Sequence, residues 1–149
     1  MTEILFYHLQ GQRIEQALPL LLEKSLEKGW NVVLRAGSEE RLAALDEALW
    51  IYTEQSFLPH GREEEGEPEH QPILLTLKDT RINDPGVIFL VDRAPLPSAY
   101  DVERLVLMFD GEDPEAVEEA RAAWKTIKAL GYPATYWQQD GGRWVKKAG

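Results

Sequence analysis

Arg121, Lys125 and Lys128 are the residues whose type and spacing most directly imply chemistry. Steps of four and three residues put all three on one side of a helix. Trp124 sits among them, and Tyr132 lies just beyond Gly131, where the helix should stop. An arginine fork takes a carboxylate through two parallel hydrogen bonds, and an aromatic floor accepts an apolar side chain, so this surface suits an acidic peptide. Cations near a helix C-terminus are also favoured for stability alone, and lysines often lay their stems on apolar neighbours without any ligand. The spacing leaves both readings open. A second cluster, Asp110, Glu112, Asp113 and Glu115, follows a strand. Open α/β sheets bind ligands at such strand ends, so a cation or nucleotide site, and with it an enzyme, is the alternative reading. A helix cap accounts for Asp113 and Glu115 without one. His8, His60 and His70 are scattered, with no metal-ligand spacing and no serine–histidine or cysteine–histidine arrangement. Neither G-x-G-x-x-G nor G-x-x-x-x-G-K-[ST] occurs. No catalytic residue, no metal site and no cofactor is expected.

The elements that must hold these side chains alternate. Glu3 to Leu9 reads as a first, central strand, and Ile14, Leu18, Leu21, Leu22 and Leu26 form one helical stripe. Pro19 either sits in the first turn of a helix that starts near Leu18 or kinks a longer one. Asn31–Ala36 is a second strand, and a helix capped by Ser38 runs to Trp50 or Tyr52. Residues 62–71, REEEGEPEHQ, have no apolar side chain and read as a flexible, solvated acidic loop. Ile73–Leu77 and Val87–Val91 are strands that either pair as a hairpin or lie apart. Arg104–Phe109 is a buried strand, and a helix from Pro114 to about Leu130 follows it, capped by Asp113. Asp140-Gly141-Gly142 between two aromatic runs predicts a C-terminal hairpin. Strand–helix alternation implies right-handed crossovers and a parallel sheet. The expectation is one α/β domain over 1–149, with a mostly parallel central sheet and helices on both faces. It is Rossmann-like but has no nucleotide-binding loop.

Composition narrows the partners. The formal net charge is −10, so nucleic-acid phosphates should repel the chain unless its few bases are clustered; no direct DNA binding is expected. There are no cysteines, hence no disulfides. The N-terminus has no basic region followed by an apolar run, and no segment is long enough for a bilayer. These features fit the cytoplasm and no membrane partner.

A last group is apolar. Leu42, Leu45, Leu49 and Trp50 recur at helical steps, and Phe57 and Leu58 follow before Pro59 forces extended backbone. Trp50, Phe57 and Leu58 are expected to form a partly exposed patch, a protein contact or a dimer interface. LDEALW with SFLPHG, together with FYHL, LPLLLEKSLEKGW, VLMFDG, KALGY and TYWQQDGGRWVKK, resembles the chi subunit of bacterial DNA polymerase III over nearly the whole chain. The resemblance implies an accessory subunit of the polymerase holoenzyme and clamp loader, without catalytic activity of its own. It implies binding of the acidic C-terminal tail of single-stranded-DNA-binding protein and, in some bacteria, of the psi subunit. Arg121 matches the family's functional arginine in its spacing to Gly131-Tyr132, and Trp124 falls at an aromatic position. Val117 stands where the family has a lysine, so Lys125 or Lys128 would have to replace it. Phe57 matches an aromatic tied to psi binding.

Overall fold

The structure, a computed structural model, describes residues 1–53 and 58–149. Strands β1 (Glu3–Leu9), β2 (Asn31–Arg35), β3 (Gly61–Arg62), β4 (Ile73–Thr76), β5 (Pro85–Val91), β6 (Arg104–Asp110), β7 (Ala134–Asp140) and β8 (Arg143–Ala148) form a single sheet. Their order is β3-β4-β2-β5-β6-β1-β7-β8. Every pairing is parallel except β7 with β8, which close as the antiparallel hairpin. β4 and β5 lie apart, because β2 pairs with both of them. The polar turn between them is held beneath the sheet by Asn83, whose amide donates to the carbonyls of Val32 at 3.0 Å and Gln71 at 2.9 Å.

Strand alternation splits the core in two. Val32, Leu34, Val87, Phe89, Val106 and Met108 face one side with the apolar stripes of α1 (Ile14–Glu27) and α2 (Glu39–Thr53). Ile4, Phe6, Val33, Ile88 and Leu105 face the other, under α3 (Pro114–Ala129). Helices therefore cover both faces. α1 begins at Ile14 and carries Pro19 within it; its first turn is closed by the Gln16 side chain, which accepts from the Arg13 amide at 3.0 Å.

The acidic stretch after β3 folds as two 3₁₀ turns, Glu63–Glu65 and Pro68–His70. Glu63 turns back to the sheet, where it accepts from the Thr76 hydroxyl at 2.5 Å and pairs with Lys78 at 3.2 Å. No helix among the described residues is long and apolar enough to cross a membrane.

Candidate functional site

α3 starts where the sequence places it: Pro114 occupies the first turn, and the Asp113 carboxylate accepts from the Glu115 amide at 3.0 Å. Ala116, Ala120 and Ile127 are buried against the sheet. One flank of the helix then carries Trp124, Lys128 and Arg121, in that order outward from the core, and Lys125 points furthest into solvent. Arg121, Lys125 and Lys128 are exposed, and none has a carboxylate partner among the described residues. Arg93, on the other flank of the same helix, is tied to Glu115 and Glu119.

The parallel registers of β1 with β6 and β7 bring an aromatic box under the cationic flank. Trp124 meets Phe6 edge-on at 5.3 Å and Tyr136 at 5.9 Å, and Phe6 stacks on Tyr136 at 6.0 Å. The Lys128 ammonium lies 5.5 Å from the Trp124 ring, within cation–π range. At the other end of the box the Tyr136 hydroxyl and His8 Nδ1 are 2.7 Å apart. Burial lowers the His8 pKa, and the nearby Arg121 charge lowers it further against a smaller opposing pull from Asp110. Burial raises the Tyr136 pKa, and Arg121 offsets part of that rise. Gly111 packs so closely on the His8 ring that a Cβ there would overlap it, so glycine is required at this approach. Phe6 and Tyr136 were not read as site residues in the sequence, and His8 was weighed only as a metal or catalytic candidate. FYHL and the aromatic run of the hairpin carry them, and they become a site only through the β1–β7 register.

Tyr132 does not join this box. It packs on Tyr100 with ring centroids 4.7 Å apart, beyond the last turn of α3. Arg121 and Tyr132 are eleven residues apart, which is about 16 Å along a helix. The aromatic wall beside Arg121 is therefore Trp124 with Tyr136. On the opposite flank of α3, Leu90, Pro95, Leu96, Leu107, Ala120 and Ala123 line an apolar cleft of about 340 Å³.

The second expected surface is only partly as read. Trp50 is 54% exposed and packs edge-on against His60 at 4.7 Å. Leu58, by contrast, is 0% exposed and belongs to the core with Leu42, Leu45 and Leu49. The expectation that it lines an exposed patch is corrected. The chain returns under α2 at Leu58, and the His60 side chain, itself buried, holds that return with its Nδ1 2.8 Å from the Leu58 carbonyl and its Nε2 3.3 Å from Asp46. Phe57 lies outside the described residues. Ile51, 59% exposed beside Trp50, is an apolar surface residue that the helical pattern did not single out.

At the strand end near Asp110, its carboxylate accepts from the Glu112 amide at 2.9 Å, and Asp113 and Glu115 serve as cap and ion-pair partner. Among the described residues no group of three histidines or acids is arranged to hold a metal.

The model of the family described as DNA polymerase III chi subunit, HolC, matches residues 1–135. The chain belongs to the DNA polymerase III chi subunit family. It is similar to the DNA polymerase III subunit chi of Pseudomonas aeruginosa, with 27% identity over 148 residues covering 89% of this chain and 94% of that protein. It is also similar to the probable DNA polymerase III subunit chi of Rickettsia prowazekii, with 23% identity over 109 residues covering 73% of this chain and 66% of that one. Chi is an accessory, non-catalytic component of DNA polymerase III, and its setting is DNA replication. The family match ends just inside β7, so most of the β7–β8 hairpin lies beyond it.

Proposed function

We propose that the chain is a clamp-loader accessory subunit of the replicative polymerase that receives the acidic C-terminal tail of single-stranded-DNA-binding protein on the Arg121 flank of α3. One observation carries this reading: Arg121, Lys125 and Lys128, free of carboxylate partners among the described residues, sit above the Trp124–Tyr136–Phe6 aromatic box. A tail of aspartates ending in an apolar residue and a free carboxylate complements such a surface. Arg121 offers the planar fork for the terminal carboxylate, which a lysine meets only as a point charge. Lys125 and Lys128 steer the aspartates, and Tyr132 bounds the far end. Trp50, with Ile51, is the surface proposed for a partner subunit such as psi; Phe57 follows six residues after Ile51 in the sequence.

Calorimetric titration with the tail peptide tests the α3 reading. Arg121→Ala should weaken binding by about 1.5–3 kcal/mol, the range for a hydrogen bond to a charged group, with little loss of stability because the side chain is exposed. Added salt should weaken wild-type binding steadily, since exposed charges are screened. Unchanged affinity in both Arg121→Ala and Lys125→Ala, or no salt dependence, would move the site off this flank.

A further inference from the structure

The aromatic box under α3 has a polar end. Phe6 and His8 share one face of β1, and Tyr136, the register partner of Phe6 on β7, has its ring beside both. Trp124 covers the Phe6 end. Arg121, about one turn earlier in α3, comes to the other end, where its charge acts on both the His8 ring and the Tyr136 hydroxyl.

Tyr136 is half-buried, and among the described residues its hydroxyl has a single polar contact, with His8 Nδ1 at 2.7 Å. A phenol has one proton to donate and lone pairs to accept with, so this contact leaves part of its capacity open. When Nδ1 is unprotonated, the hydroxyl donates its proton to the ring. When Nδ1 carries a proton, the ring donates to the hydroxyl, whose own proton is then free for another acceptor. The groups that face His8 are Phe109 and Gly111 against its ring, Asp110 at the end of β6, Arg121 from α3 and Tyr136 from β7. The one acid among them, Asp110, already accepts from the Glu112 amide at 2.9 Å. An acceptor for the Tyr136 proton therefore has to come with a ligand, and the Arg121 charge selects an anion.

We propose that the Tyr136 hydroxyl is a second donor to the terminal carboxylate that Arg121 receives, with His8 as the positioning residue that decides when the hydroxyl can donate. The inference rests on the tail reading of Arg121 and adds a chemical requirement to it. A guanidinium and a hydroxyl together hold both oxygens of a carboxylate, whereas a terminal amide offers one oxygen and no charge. Burial and the Arg121 charge keep the His8 ring neutral in the free chain. A carboxylate on Arg121 offsets that charge, so the ring takes up a proton more readily, and the protonated ring turns the hydroxyl towards the ligand. Tail binding and proton uptake by His8 therefore favour one another.

Calorimetric titration with the tail peptide and with its C-terminally amidated form tests this. Tyr136→Phe removes one oxygen and keeps the ring that stacks on Phe6. It should weaken binding of the free-carboxylate peptide about tenfold or more, as for a hydrogen bond to a charged group. Binding of the amidated peptide should fall by about threefold or less, since a neutral acceptor is worth about half as much. Wild-type affinity for the free-carboxylate peptide should rise as pH falls below about 6.5, the ordinary histidine value. His8→Asn, which cannot titrate there, should lose that rise. Circular dichroism of each variant verifies the fold. Loss of binding in Arg121→Ala with none in Tyr136→Phe overturns the inference and leaves the tail site standing, whereas absence of wild-type binding overturns both. Equal losses for the two peptides in Tyr136→Phe, or a pH-dependent rise that persists in folded His8→Asn, also overturn it.

Discussion

At the scale of single residues, the charge of Arg121 bears on a neighbouring ring. Its charge lies close enough to His8 to disfavour the imidazolium, adding to the burial of the ring between Phe109 and Tyr136. The His8 pKa should therefore be measured below the ordinary value of about 6.5, and Arg121→Ala should raise it. Nuclear magnetic resonance titration of the ring protons checks this; an unaltered His8 titration in the variant would mean that the two charges do not sense each other. The sign for stability follows. A histidine held neutral in the fold binds fewer protons than in the unfolded chain, so its contribution is complete above the unfolded pKa. That contribution is lost as pH falls below about 6.5 towards the folded value. Binding of an acidic tail over Arg121 would shield the imidazolium from the guanidinium, so the tail complex should show a higher His8 pKa than the free chain.

At the scale of elements, the return from α2 into β3 separates two apolar side chains that look alike in the sequence. Leu58 enters the core beneath α2, whereas Trp50, eight residues earlier, stays more than half exposed. Leu58→Ala should cost about 2–5 kcal/mol by the lost transfer energy and the cavity left behind. Trp50→Ala should cost no more than about 1.5 kcal/mol, the worth of its ring contact with His60. Urea unfolding of the two variants gives the comparison, and equal losses would contradict the burial difference. If Trp50 serves a partner subunit, the same substitution weakens that assembly with the fold intact. The acidic turns after β3 show how a stretch without apolar residues is still anchored: Glu63 reaches Thr76 and Lys78, and Arg62 reaches Glu39 and Glu64.

At the scale of the whole molecule, protection should follow strand order. β1, β2, β5 and β6 are each flanked by two strands and covered by side chains on both faces. β3 has two residues, and β8 is an antiparallel edge whose last residues are exposed. Amide hydrogen exchange should be slowest in β1, β5 and β6 and fastest in β3 and β8, since local opening costs least where few buried contacts are lost. Equal protection of β8 and β1 would contradict this layering. The alternation of apolar strands with capped, periodic helices was enough to predict a mostly parallel sheet with helices on both faces, because burial on two sides leaves continuous apolar runs. The cationic flank of α3 was legible for a similar reason, since helical spacing is a local property. The family likeness was carried by short stretches along nearly the whole chain. Strand order was not legible: β4 and β5 read equally well as a hairpin, and only Asn83 and the pairing of both strands with β2 part them. Nor were the burial of Leu58 or the Phe6–Trp124–Tyr136 box. Each joins residues of different elements through tertiary packing, and a sequence pattern records which way a side chain points from its own element but not which distant element it meets.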